Sequence, residues 1–339
     1  MLNYNGKVHL DNYLSSVIHF KPNNAEIIVV DNASTDDSVT YLESAFPEIP
    51  LVVLDKNYGF TGGYNKGLSQ INAKYYVILN SDVEIKSSWI EAIIDKMDKD
   101  ESIAAYQPKI LSLKKPSHFE YAGAAGGWMD SLGYPFCRGR VLELAEKDEG
   151  QYDTEQDIFW ATGAALVCRA DAFNAFGGFD EDYFAHMEEI DLCWRWKNAG
   201  YKIKSLPSVE VFHLGGGTLQ YDSPNKIFFN FRNSLFTLFK NEKGSKLLWL
   251  FPLRLVLDGL AGLQFIAKGK VKLCFKIIEA HFAFYGNFRK ILRKRKATKA
   301  LINKNRIGAP TQEGKFKGSI IINYFLKSRK TWNRILNSK

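Results

Sequence analysis

The chain has 339 residues, 46% hydrophobic and 14% aromatic, with 26 Gly and 10 Pro; this is enough for one large folded core and excludes a disordered or fibrous chain. The net charge of +8 conceals an asymmetry, because residues 1–225 carry 19 basic and 33 acidic side chains whereas residues 226–339 carry 26 and 4. An acidic body precedes a basic tail, and so large a step marks a change of environment. The four cysteines, Cys137, Cys168, Cys193 and Cys274, form no Cys-x-x-Cys pair, which argues against a zinc site or a disulfide framework and for a reducing cytosol. Met1-Leu2-Asn3-Tyr4-Asn5-Gly6 lacks the basic-then-apolar pattern of a secretory signal.

From Glu26 to Lys109 short β-branched runs alternate with helical patterns, the mark of βαβ units and a mostly parallel open sheet. Strands are predicted at Glu26–Asp31, Pro50–Asp55, Lys74–Asn80 and Ile103–Lys109. Helices are predicted at Ser34–Phe46, where Ser34 and Asp37 resemble a capping box, at Gly63–Ile71, and at Ser87–Lys99. Ser112–Asp157 has weak periodicity and many glycines and reads as a variable loop region in which a hairpin is an option. Order returns with Phe159–Arg169, a short helix at Asp171–Phe176, the turn Gly177–Glu181, a helix near Glu188–Asn198, and a strand pair at Tyr201–Leu206 and Val209–Leu214.

In open α/β sheets ligands bind beyond the carboxyl ends of the strands. Three predicted strands end there in polar clusters: Asp31-Asn32-Ala33-Ser34, Asp55-Lys56-Asn57, and Asn80-Ser81-Asp82. An acid leaving a buried strand, such as Asp82, suits either a divalent cation held beside a diphosphate or an ordinary turn. The glycine-rich Asn57–Gly67 suits a nucleotide at a helix N-terminus, or a plain turn into a helix, and matches neither a Walker loop nor Gly-x-Gly-x-x-Gly. At Glu188-Glu189 two adjacent acids open a helix; they serve either the helix dipole or, with one ionised, as a general base beside a partner that binds substrate hydroxyls. Asp191 and Arg195 stand at ion-pair spacing. His213 ends an apolar strand before the run Gly215–Thr218, either as a structural histidine or where a ligand approaches closely.

Together, Asn3–Gly6, Ile28–Asp36, Asn57–Gly67, Leu79–Val83, Gly177–Glu181, Glu188–Arg195 and His213 resemble family 2 glycosyltransferases of the GT-A fold, in the branch of bacterial rhamnosyltransferases. The resemblance implies a catalytic domain over residues 1–225 and a basic helical extension over 226–339. It implies that Tyr4 and Asp31 contact the nucleotide, that Asn57, Gly63 and Asn65 shape its pocket, and that Asn80 and Ser81 border the donor. Asp82 takes the metal-binding place of the family's Asp-x-Asp signature, for Mg2+ or Mn2+, and His213 matches a histidine that completes the metal site in some relatives. Glu189 takes the place of the catalytic base and Glu188 orients the acceptor, although Glu189 stands where an Asp is usual, which leaves the choice between the two open. Asn80 likewise replaces the first Asp of the signature. The chain begins inside what the resemblance makes the first strand, so a start further upstream is expected.

The implied reaction is inverting transfer of a sugar from a nucleotide-diphosphate donor, dTDP-rhamnose first and UDP-hexoses or galactofuranose next, to a saccharide or polyprenol-linked acceptor. In the tail, Leu247–Ala267 is long enough to cross a bilayer but contains Pro252, Arg254 and Asp258, so lying in the interface is favoured over spanning. The lysines and arginines that follow favour an anionic membrane surface over a helical subdomain packed on the core with solvated lysines, and over nucleic acid, and hence a peripheral location on the cytoplasmic face of the membrane. A non-catalytic nucleotide-sugar-binding scaffold is the competing reading.

Overall fold

The computed structural model describes residues 1–215 and 223–337. The elements, in order, are β1 (Leu2–Asn3), α1 (Lys7–His19), β2 (Val29–Asp31), α2 (Ser38–Ala45), β3 (Leu51–Val53), α3 (Gly59–Leu68), β4 (Tyr75–Leu79), β5 (Val83–Glu84), α4 (Ile90–Lys99) and β6 (Ile103–Ser112). Short strands β7 (Gly127–Met129), β8 (Pro135–Cys137), β9 (Arg140–Val141) and β10 (Leu144–Ala145) form an antiparallel meander in the region read as variable loop. Then come β11 (Gln156–Asp157), β12 (Ala165–Arg169), α5 (Ala170–Ala175), α6 (Glu188–Asn198), β13 (Lys202–His213), α7 (Pro224–Asn241), α8 (Gly244–Ala267), α9 (Val271–Gly286), α10 (Phe288–Lys304) and α11 (Trp332–Leu336).

The first three strands pair in parallel. A larger sheet runs β11-β13-β6-β12-β4, with β12 antiparallel to both neighbours and β13 parallel to β6. A bridge from Leu2 to Asn80 joins the two sheets. The α/β architecture is thus parallel at its N-terminal edge and mixed beyond it. Helix α4 shows how sequence builds this: Ile93 and Met97, one turn apart, both vanish beneath Ile103 and Tyr106 of the sheet.

Two local expectations are corrected. The strand pair expected after α6 is one strand, β13, whose register shifts between Leu206 and Glu210; Pro207 lies in this irregularity, where a missing N–H costs nothing. Ser34 does not cap α2, whose N-cap is Asp37, because the Ser34 hydroxyl donates instead to Asp31 Oδ2 at 2.7 Å. In α8, Arg254 and Asp258 are both buried against the body of the protein.

The basic tail is packed onto the body along its length. Lys240 of α7 bridges Asp180 and Asp191 at 2.5 and 3.0 Å. Thr311 N donates to Lys197 O at 3.0 Å and Phe316 N to Met129 O at 2.8 Å. All four cysteines are free thiols.

Candidate active site

The polar strand ends and the start of α6 meet around one cavity of about 790 Å³. Its floor is Asn80-Ser81-Asp82, leaving β4, and His213, leaving β13. Strand pairing puts them together: His213 is in register with Val83, and Leu214 N donates to Asp82 O at 3.0 Å. Residues far apart in sequence thereby become neighbours, with His213 Nε2 3.1 Å from Asp82 Oδ1 and 3.3 Å from Asn80 Nδ2.

On its other edge His213 Nδ1 lies 3.2 Å from Glu120 Oε2, and all three side chains are almost wholly buried. Burial alone would push the imidazolium pKa down, but the Asp82 and Glu120 carboxylates outweigh it and hold the ring up to about 10. Burial likewise raises Asp82, yet His213 reverses the effect and holds its carboxyl below the usual range. An oxygen and a nitrogen 3.1 Å apart match adjacent ligands of an octahedral cation with bonds of about 2.1 Å. Among the described residues no group of three or more His, Cys, Asp or Glu surrounds a common point. Without a metal the pair is an imidazolium–carboxylate hydrogen bond; Asp82, and His213 once a cation displaces its Nε2 proton, could serve as two ligands that further oxygens must complete, with Glu120 placed to orient the ring.

Across the cavity, Glu188 and Glu189 open α6. The turn before them is held in left-handed backbone, with φ of 64° at Phe184, 69° at His186 and 73° at Met187, a costly arrangement for non-glycine residues. It persists because the Asn233 side chain of α7 donates to the carbonyls of Tyr183, Ala185 and His186 at 3.0, 2.8 and 2.8 Å. Burial raises the Glu188 carboxyl well above its ordinary value, with the Glu189 charge adding to it. Burial pushes Glu189 up to about 7. Glu188 is 4% exposed, whereas Glu189 is half-buried. Glu188 is thus held well above the ordinary carboxyl range beside a Glu189 near 7.

At the sheet's edge, Tyr4, Asn57, Asn32 and Gly59 line the same cavity. Asn32 Nδ2 donates to Asn57 Oδ1 at 3.0 Å and to Gly59 O at 2.9 Å, and Asn32 Oδ1 accepts from Tyr58 N at 3.0 Å, so this amide organises the loop. Three residues expected here do not line the cavity. Asp31 is fully buried and accepts from Asn3 Nδ2, Ser34 N and Ser34 Oγ at 2.7–2.9 Å; its oxygens hold the loop. Gly63 lies behind the wall, where a Cβ would meet Leu2 at 2.8 Å. Asn65 ties α3 to the turn before Glu181, exchanging hydrogen bonds with Phe179 O and N at 2.8 and 3.0 Å. Gly216–Thr218 of the expected glycine run fall outside the described residues.

Glu120, Arg140, Lys226 and Asn233 were not apparent in the sequence reading. Arg140 and Lys226 line the cavity near Tyr121, giving that side a cationic wall. Arg195, expected to pair with Asp191, does so at 3.0 Å in the core rather than at the surface.

A mixed sheet ending in a polar edge, where Asp82 and His213 share a cavity with Glu188 and Glu189, is the arrangement of the GT-A fold. Residues 1–135 match the family model described as Glycosyl transferase family 2, and the chain is a glycosyltransferase of family 2 type, similar to bacterial rhamnosyltransferases. It is 25% identical over 275 residues to an N-acetylglucosaminyl-diphospho-decaprenol L-rhamnosyltransferase of Mycobacterium tuberculosis, covering 77% of this chain and 89% of that protein. It is 22% identical over 250 residues to a dTDP-rhamnosyl transferase of Shigella flexneri, covering 69% and 77%. Among solved structures it resembles S. aureus TarS 1-349 in complex with UDP-GlcNAc, with TM-score 0.53 and 15% identity over 90% of this chain and 88% of that one. It also resembles GalNAc-T7 with UDP, GalNAc and Mn2+, with TM-score 0.54 and 16% identity over 70% of this chain and 46% of that one. These two likenesses establish the fold.

Proposed function

We propose that the chain transfers L-rhamnose, with inversion, from dTDP-rhamnose to a polyprenol-linked saccharide at the cytoplasmic face of a membrane, in cell-surface polysaccharide synthesis. The observation that carries the reading is that Asp82 and His213 share one cavity with Glu188 and Glu189. The choice of rhamnose and of a diphospho-polyprenol acceptor draws on the activities of the two related rhamnosyltransferases.

Glu189 is the base. It is the less buried of the pair, and a carboxyl near 7 is matched to proton transfer at neutral pH. The acceptor hydroxyl attacks the anomeric carbon from the side opposite the diphosphate; Glu189 takes its proton as the bond to the diphosphate breaks and the electron pair leaves with the diphosphate oxygen. Glu188, protonated, donates a hydrogen bond to an acceptor oxygen. Arg140 and Lys226 place positive charge on the cavity wall. Asp82 and His213 would hold Mg2+ or Mn2+, which when bound offsets diphosphate charge.

The test is a panel of dTDP-rhamnose, UDP-hexoses and UDP-galactofuranose, with and without Mn2+, offered with a short-chain prenyl diphospho-N-acetylglucosamine. Rhamnosyl transfer with inverted anomeric configuration by NMR is the expected result. Transfer from a UDP-sugar alone would replace the donor assignment, and nucleotide binding without turnover of any donor would make the protein a scaffold.

A further inference from the structure

Helix α8 is inverted relative to a helix of a water-soluble protein. Its buried stripe, Leu247, Leu250, Arg254, Asp258 and Gly262, contains two of its three charged residues, the third being Lys246 in its first turn, while Leu248 is 81% exposed, Leu263 61% and Val256 59%. The charges are satisfied inward: Arg254 Nη2 donates to Ser234 Oγ at 2.9 Å and lies 3.6 Å from Asp258, which is 3.1 Å from His281 Nε2 of α9. Helix α9 continues the pattern, with Phe282 72% and Phe275 65% exposed. An apolar patch running along two helices is far from the scattered surface apolars of a monomer in water.

We infer that the outward face of the α8–α9 hairpin is embedded in one leaflet of an anionic bilayer. This deepens the proposed function, on which it rests for the lipid-linked acceptor. The buried stripe extends from Leu247 to Gly262, so protein covers one side of α8 for most of its length and lipid covers the other: the hairpin lies along the surface and does not cross. Charge selects the occupant. Residues 226–339 carry 26 basic and 4 acidic side chains, and Lys268, Lys272 and Arg289 stand exposed beside the apolar face. A second copy would set like charge against like, whereas anionic headgroups complement it. Trp249, half exposed near the start of α8, suits the headgroup level. Helix α7 joins this hairpin to the cavity, since Ser234 and Arg254 both line it, so a hydroxyl on a membrane-anchored acceptor is presented beside the site.

The experiment is flotation of the full chain with vesicles of equal phosphatidylglycerol and phosphatidylcholine, and of phosphatidylcholine alone, with dibrominated lipid as a fluorescence quencher. The wild type is expected to float with anionic vesicles and be quenched, with Trp249→Phe removing much of the quenching. Leu248→Gln/Leu260→Gln/Leu263→Gln should weaken partitioning at least a hundredfold, and Lys268→Ala/Lys272→Ala/Arg289→Ala about a hundredfold on anionic vesicles only. Failure of the wild type to float, or a solution dimer that the leucine variant converts to monomer while vesicles capture neither, overturns the inference. Flotation without sugar transfer leaves it standing and removes the functional reading; transfer to a water-soluble acceptor without flotation does the reverse.

Discussion

Asn233 Nδ2 donates to the His186 carbonyl at 2.8 Å, tying the middle of α7 to the residue two places before Glu188. The same amide holds Tyr183 O and Ala185 O, so the left-handed turn that aims the carboxyl pair is fixed by a helix in the basic part of the chain. Removing it takes this donor from the Ala185 and His186 carbonyls, at a cost of about 1–3 kcal/mol, while Tyr183 O keeps Arg232 Nη2 at 3.0 Å, and it frees the turn to relax. Asn233→Ala is expected to lower kcat about 10–100-fold, as misplaced catalytic groups do, while the Kd of the nucleotide sugar by calorimetry stays near wild type. Loss of donor affinity in step with kcat would mean that Asn233 supports the whole cavity and not the turn.

Glu189→Gln should retain donor affinity and lose about 10²–10⁴ in turnover. Its pH behaviour is equally specific. Folding raises this carboxyl from 4.5 to about 7, so the folded chain binds more protons than the unfolded one between those values. Stability from this group is fully present below the unfolded pKa and is lost as pH rises through the folded one. The base is active only when ionised, so kcat should rise with pH along a limb centred near 7, where stability is being lost. Glu189→Gln removes the titration; its melting temperature should therefore gain on wild type as pH goes from 5 to 8. An equal difference at both pH values would assign the raised carboxyl to another residue.

The proposal that Asp82 and His213 hold a cation yields a graded series. Asp82→Asn should abolish any stimulation by Mn2+, because half of the protein ligands lose their charge. Glu120→Gln leaves both ligands but weakens the partner 3.2 Å behind His213, and should reduce Mn2+ affinity about 10–100-fold, read from the free-Mn2+ electron paramagnetic signal in the presence of nucleotide diphosphate. Identical affinities for Glu120→Gln and wild type would leave Glu120 as a purely structural counter-charge.

What was legible in the sequence was what local pattern controls. Asn80–Asp82 and Glu188–Glu189 announce themselves because a β-branched run or a helix start abuts a polar cluster, and both line the cavity. Asp31 shows the same local signature yet faces inward, since whether a strand-end acid meets ligand or loop depends on Ser34 and Asn3 folding over it, a tertiary fact. Glu120 and Arg140 lay in a stretch without periodicity, and what places Glu120 behind His213 is the approach of a distant strand. Asn233 resembled any polar residue on a helix; only the left-handed turn opposite gives its amide a task. Pro207 read as a break between two strands because the partner strand that carries β13 past it is remote in sequence. Arg254 and Asp258 read only as charges that disfavour crossing a bilayer, because periodicity shows a stripe but not which side of it faces protein.

The inward placement of these charges has a thermodynamic consequence. Arg254 and Asp258 are each 1% exposed, and Arg254 also stacks its guanidinium 4.0 Å from the Tyr134 ring centre. Truncating one partner of a buried ion pair strands the other, so Arg254→Met should destabilise the chain by about 3 kcal/mol, seen as a lower guanidinium midpoint; replacing both with apolar residues removes the stranded charge. Arg254→Met/Asp258→Leu should recover to within about 1 kcal/mol of wild type, a coupling that a double-mutant cycle isolates. The double variant also distinguishes inward from outward charges. Were these residues in contact with lipid, making them apolar would strengthen vesicle binding by an order of magnitude or more per residue; because they face Tyr134, Ser234 and His281, vesicle binding should be unchanged while stability moves.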